Sequence, residues 1–226
     1  MQINTTARRH ARSAKTLNAA RLGVLACACL GTLGLAAGTG QAFAGIAVTD
    51  DAAHALANPG HPVVFSDAFD VHQDGWVLAA SARNQAEAES VECSAAAPCR
   101  SVALSFQIVT MAGENIHLNA VNLGNSENVH CDGCETLAGA YQFIVSTPGA
   151  FTLSPSTRQQ LERIHGELNA LGSSNGSIAQ IQAAADALAA QVAAILRAAA
   201  ASAPHLQHSA QPAGPLVTMH RMFDQG

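Results

Sequence analysis

Four cysteines, Cys93, Cys99, Cys131 and Cys134, have the widest chemical range of any side chains in this sequence. Oxidised they are disulfides; as thiolates they are a structural zinc set or a redox dithiol. Spacing and neighbours discriminate. Zinc knuckles need tight C-x-x-C pairs, and Cys93-Ser-Ala-Ala-Ala-Pro-Cys99 is too wide for one. Cys131-Asp-Gly-Cys134 has redox spacing, yet Asp132 and Glu135 oppose a thiolate and only His130 favours one. A c-type haem needs His directly after the second cysteine, where Glu135 stands. Disulfides are therefore the expected state. Of the three connectivities, local Cys93–Cys99 and Cys131–Cys134 best tolerate the widened first pair. Cross-pairing would instead staple two strands together.

Other chemistry is thin. Asp67, Asp70 and Asp74 precede Gly75, but not at the spacing of a calcium loop, and read as a solvated acidic turn. His117 and His130 flank a polar loop and have Glu114 or Glu127 as nearby acids; His205 and His208 lie near the end. No His-Glu-x-x-His, Walker loop or dinucleotide fingerprint occurs. An aromatic content of 4% argues against a carbohydrate-stacking platform. The expectation is a non-enzymatic protein with no cofactor and no metal.

The cysteines belong to a unit written twice. Cys99-Arg-Ser-Val-Ala-Leu-Ser-Phe-Gln-Ile-Val109 overlays Cys134-Glu-Thr-Leu-Ala-Gly-Ala-Tyr-Gln-Phe-Ile144, with cysteine, alanine and glutamine coincident. Each copy has a second cysteine just upstream. Gln107 and Gln142 occupy the same place amid apolar neighbours. Buried amides must find partners, so the two are expected to bond each other or nearby backbone.

The elements that position this unit follow from periodicity. Residues 1–44 have five basic residues and no acid in their first half, then an apolar run and Ala42-Phe43-Ala44. That order describes a signal peptide, or an anchor if it is retained. Residues 45–62 read as a flexible lead-in broken by Asn58-Pro59-Gly60. Residues 63–153 form a β-rich domain: a short strand at Val63–Phe65, strands at Trp76–Arg83 and Val102–Val109, weak alternation from Ile116 to Leu123, an Asn-rich loop at Asn122–Asn128, and a last strand at Ala140–Thr147. Both faces of Val102–Val109 are largely apolar, as in a strand covered on both sides.

At residue 154 the period changes from two to three and a half. Ser154 with Pro155, and Ser177 with Gln180, are helix starts; two apolar seams joined by a short turn make a helical hairpin over 154–201. It packs on the sheet or serves in self-association. Residues 202–226 read as a disordered tail. The fold class is α+β: a small disulfide-stabilised sheet with internal duplication, followed by the hairpin.

After residue 44 six arginines face sixteen acids and no lysine remains, against a whole-chain charge of −5. Such a surface repels phosphate backbones and anionic lipid, which excludes nucleic acid as a partner.

The order Asp74-Gly75 and apolar strand, Cys93…Cys99-Arg-Ser-Val-Ala-Leu-Ser-Phe-Gln-Ile-Val, Cys131-Asp-Gly-Cys134 with Ala140-Tyr-Gln-Phe-Ile-Val, and Leu161-Glu-Arg-Ile in the helical pair resembles an uncharacterised bacterial exported domain. That family includes stand-alone secreted proteins and the extracellular tails of actinobacterial proteins labelled peptide zinc metalloproteases. The resemblance covers Asp74 to Leu196. It implies export and an unknown protein or cell-envelope partner. It carries no peptidase activity, which belongs to a membrane module absent from this sequence. The family has C-x-x-C at both cysteine pairs; the first is widened here. The expected function is an exported structural or binding module, the alternative a thiol-redox or metal-binding module using Cys131 and Cys134.

Overall fold

A computed structural model describes residues 45–203 and 214–226. Six strands and a helical hairpin occur in the order β1 (Gly45–Ala57), β2 (Val63–Val91), β3 (Arg100–Ala112), β4 (His117–Val129), β5 (Glu135–Thr147), α1 (Pro155–Ala170), α2 (Ile178–Ala201) and β6 (Leu216–Gln225). The class is α+β with a mixed six-stranded sheet.

That sheet is folded on itself through β2. The first half of β2 pairs parallel with β3, and β3 pairs parallel with β5. Its second half pairs parallel with β1 and with β4. Two leaves result: a front leaf β1–β2–β4 and a back leaf β2–β3–β5, extended by antiparallel β6. The chain alternates between leaves at every corner and so winds as a two-sheeted solenoid. The duplicated unit is two successive coils, stacked in register 35 residues apart, with Gln107 opposite Gln142.

A third coil precedes them. Phe65, Phe69, Asp70 and Val71 of β2 stand opposite Val102, Phe106, Gln107 and Ile108 of β3. Val63–Phe65 is therefore not a short strand, nor are Asp67, Asp70 and Asp74 a turn; all but the bend at Gly75 lie in one 29-residue strand. Gly75 has φ +64, a region open to glycine and costly for side chains, and the pairing with β3 slips there. That bend carries β2 from one leaf to the other. Asn115 and His130 take φ 56 and 49 at later corners, a conformation that Asn and His tolerate better than most residues.

Three further readings are corrected. The lead-in at 45–62 contains β1, a 13-residue strand whose alternate alanines point inward. The loop at Asn122–Asn128 lies inside β4. Its Asn and Ser residues oppose propensity, but parallel pairing with β2 along the whole strand overrides it. The tail at 202–226 includes β6, held by backbone pairing to β5 rather than by a hydrophobic period. The leader at 1–44, with His205 and His208, lies outside the described residues.

Two cores result. Between the leaves much of the layer is made of small side chains, with Ala53, Ala55, Ala86, Ala88, Ala103, Ala138 and Ala140 all buried, and beside it Val77, Val109, Met111 and Ile144 form a cluster of larger ones. The outer side of the back leaf packs Val102, Leu104, Phe106, Ile108, Tyr141 and Phe143 against Leu161, Ile164 and Leu168 of α1 and Ile181, Leu188 and Val192 of α2. The apolar seams of the hairpin thus face the sheet. Stacked coils align rings into a column: Phe69 to Phe106 at 5.8 Å, Phe106 to Tyr141 at 4.4 Å, closed by Phe223 edge-on to Tyr141 at 5.3 Å. Ser154 accepts the Thr157 N–H to cap α1, and Ser177 with Gln180 forms the capping box of α2. Arg221 of β6 pairs with Asp186 of α2 at 2.7 Å.

The alanine layer has no room to spare. Ala138→Leu, at a fully buried position, is expected to destabilise by about 1–3 kcal/mol in urea denaturation through overpacking. A neutral result would show the leaves to be looser than this.

Candidate functional site

Two clusters collect the polar and reactive side chains: the cysteine corner and a polar column between the leaves.

The corner is where the chain passes from the front leaf to the back leaf. It is closed three times. In the first coil Asn58 Oδ1 accepts the N–H groups of Gly60 and His61 at 2.9 and 3.1 Å. In the second, Cys93 is bonded to Cys99. In the third, Cys131 is bonded to Cys134. The disulfides stack on one another: the Cys99 N–H donates to Cys134 Sγ at 3.2 Å. The Sγ atoms of Cys93, Cys131 and Cys134 lie within 4.8 Å of one another. Ala57 and Val64 of the first coil pack against the cysteines. His130 beside this corner is exposed, as are Asp132 and Glu135. Arg100, next to Cys99, is largely buried, and its guanidinium lies 3.4 Å from Glu135.

The polar column begins at Gln107 and Gln142, both fully buried. Gln142 Nε2 donates to Gln107 Oε1 at 2.8 Å, and also to the carbonyls of Ala82 and Val121. Gln107 Nε2 in turn donates to Asp51 Oδ2 at 2.8 Å and to the Arg83 carbonyl at 2.7 Å. A second column descends the front leaf, where Asp51, Asn84 and Asn122 stand in register. Asn84 Nδ2 donates to Asn122 Oδ1 at 2.9 Å, and Ser105 Oγ donates to Asn84 Oδ1 at 2.6 Å. The small alanine layer lets these side chains span the gap. Each amide thereby bonds backbone of the opposite leaf, and the column ties the leaves together.

Both columns end in acids at the first coil. Asp51 contacts His72 Nε2 at 2.7 Å. Asp70 occupies the position of Gln107 and Gln142; burial first, then the Asp51 charge, push its carboxyl above the usual range, while His72 and His165 oppose the rise. Burial likewise raises Asp74, against the pull of His72. Tyr141 is pushed up by burial and by Asp186, to which its hydroxyl donates at 3.1 Å. Asp67 meets His165 of α1 at 3.1 Å.

Sequence reasoning missed Asp51, Asn84 and Asn122, and read Asp70 as part of a solvated acidic turn. The signal for Asp70 was present, since Phe69-Asp70-Val71 repeats Phe106-Gln107-Ile108 with acid for amide. His117 and His130 are both exposed and form no cluster with Glu114 or Glu127 among the described residues. Gly172-Ser-Ser-Asn-Gly176 fits the nucleophile-elbow pattern, but it joins two helices, not a strand to a helix, and Ser174 Oγ accepts from Gly176 N–H within its own turn. A cavity of about 660 Å³ opens at the far end of the leaves, lined by Met111, Ile116, Leu118 and Ile144 with Glu114 and His220.

The geometry makes two expectations. Gln107→Leu and Gln142→Leu should each destabilise by about 1–3 kcal/mol, because each leaves buried carbonyl or carboxylate acceptors unpaired. The double variant should lose less than the sum, as read in a double-mutant cycle by urea denaturation; strict additivity would show that the amides do not act on each other. Asp70→Asn should raise stability near neutral pH. Its folded value is raised, so the ionised form disfavours folding above that value, and the gain should fade as acid protonates the native carboxyl. A gain that persists unchanged into acid would remove the carboxyl as its cause.

No family model matches this chain, and no curated protein or solved structure is similar to it.

Proposed function

We propose that this chain is an exported, non-enzymatic structural or binding module that works at or outside the cell surface. One observation carries the reading: two disulfides close the same corner of consecutive coils and pack against each other. Disulfides on successive turns of a solenoid are staples, and they persist in oxidising compartments. The signal-peptide pattern of residues 1–44 points the same way, as does the resemblance to exported bacterial domains. Neither pair stands at a helix N-terminus, and the largely buried Arg100 beside Cys99 is paired with Glu135. The front leaf turns its outer side to solvent as three parallel strands, with rows such as Asp50–Arg83–Val121 and His54–Glu87–Asn125. That flat face is the surface offered to a protein or cell-envelope partner.

A second reading rests on the sulfurs. Because the sulfurs of Cys93, Cys131 and Cys134 already lie within 4.8 Å of one another, reduction would leave three thiols placed to ligate a structural zinc.

Intact-mass measurement with and without reductant, on protein recovered from outside the cytoplasm, decides between these. The expected result is a chain beginning at Gly45 with two disulfides and no metal; bound zinc or four free thiols would establish the second reading instead. Replacing either cysteine pair by serine should lower stability by about 2 kcal/mol, the chain-entropy value for loops this small.

A further inference from the structure

The solenoid is open at its first coil. Among the described residues β1 pairs with β2 alone, and the first half of β2 pairs with β3 alone, so each has one unpaired backbone edge. At the other end β6 is the last strand and, among the described residues, pairs with β5 alone. There β6 runs along β5, and Asp224 Oδ2 accepts the backbone N–H of Ser126 on β4 at 2.9 Å. Unpaired strand edges recruit further strands unless charge, twist or a cover prevents it. β1 also carries Ile46, Val48 and Leu56 on its outer side, 78, 75 and 51% exposed. Large apolar side chains that bare are uncommon beside a free edge without a partner.

We propose that this edge is a self-association surface, where β1 of a second copy pairs antiparallel with β1, and that acid strengthens the pairing. Symmetry argues for this occupant. Asp51 is the central residue of Gly45–Ala57. A two-fold axis through it sets Ile46 opposite Leu56 of the second copy, and Val48 opposite His54. The exposed apolar side chains then cover each other twice in one isologous contact. Because the contact is isologous and takes up the β1 edge of both copies, it closes at a dimer and does not propagate as a fibre. Chain length argues likewise, and here the inference rests on the export reading: removal of the leader after Ala44 leaves no residue ahead of β1 to cover the edge. The hairpin is not the interface, since its apolar seams are taken up by the back leaf.

The same axis sets Asp51 opposite Asp51, and like charges placed directly across strands oppose pairing. Asp70 lies on the adjoining edge. The groups acting on the two carboxyls are each other, His72 of β2, His165 of α1 and Gln107 of β3. Asp70 is held above the ordinary carboxylate range, so it is discharged early as pH falls. Protonated, it presents the same donor-and-acceptor chemistry as the amides below it. Its protonation removes one of the carboxylate charges that each copy brings to this edge, so the repulsion between copies declines toward acid.

Sedimentation velocity on the secreted protein, with intact mass taken on the same sample, tests the proposal. A monomer at neutral pH should give way to a dimer as the pH is lowered into the acid range. Asp70→Asn should tighten association at neutral pH roughly tenfold. Val48→Lys sets a cation against His54 of the second copy and should abolish the dimer while leaving the circular dichroism spectrum unchanged. A monomer at both pH values overturns the pairing, as does a dimer indifferent to Val48→Lys or growth into fibres. Intact mass separates the two readings. A chain beginning at Gly45 that stays monomeric keeps export and removes the pairing; a longer chain that still dimerises in acid keeps the pairing and removes export.

Discussion

Parallel strands stacked without slip impose one constraint on everything else here: each residue lies on its counterpart one coil away. β3 on β5 is the clearest case, with thirteen consecutive partners and no irregularity. Whatever occupies a buried position must pack on, or bond to, its own kind. Aromatic rings meet that demand by offset stacking, so Phe69, Phe106 and Tyr141 form one column. Amides meet it because they donate and accept at once, as Gln142 does to Gln107 and Asn84 to Asn122. An ionised carboxylate only accepts and repels its like. Acids accordingly appear in these columns at the first coil alone, as Asp51 and Asp70, where histidines and an open edge adjoin them.

The two cores reflect different uses of that constraint. Between the leaves, alanine brings backbones close enough for a glutamine on one leaf to reach carbonyls on the other. Such a layer buries little apolar area per residue, roughly a methyl group each. The polar columns supply specificity of register in its place, since slipping a parallel strand by one residue would turn every amide outward. The thicker core lies on the outer side of the back leaf, beneath the hairpin. There the large side chains are collected, and there most of the hydrophobic stabilisation arises.

The corners complete the solenoid. A small coil returns its chain sharply at each end, and each return needs a covalent, hydrogen-bonded or left-handed device. Asn58, the two disulfides, Gly75, Asn115 and His130 are those devices. The disulfides thus belong to the same structural class as an Asx turn.

Much of this was legible in the residues themselves. The helix starts at Ser154 and Ser177, the two-sided apolar strands and the duplicated cysteine unit follow from local chemistry, which sequence records directly. Loop spacing favoured the pairing of Cys93 with Cys99 and of Cys131 with Cys134 over cross-pairing, and the structure has the local pairs. The hidden strands are another matter: Gly45–Ala57, Asn122–Asn128 and Leu216–Gln225 are too alanine-rich, too polar or too irregular to announce themselves. They are strands because a neighbouring strand offers them a complete ladder of backbone partners, and that offer exists only after the chain has wound. Periodicity and spacing determined which segments repeat and how each ends. Tertiary structure alone decided that the repeats stack in register, that Asn84 meets Asn122 between the leaves, and that the acids Asp51 and Asp70 mark an edge. Those facts are distances between residues far apart in the chain, set by which backbone edges are left to pair.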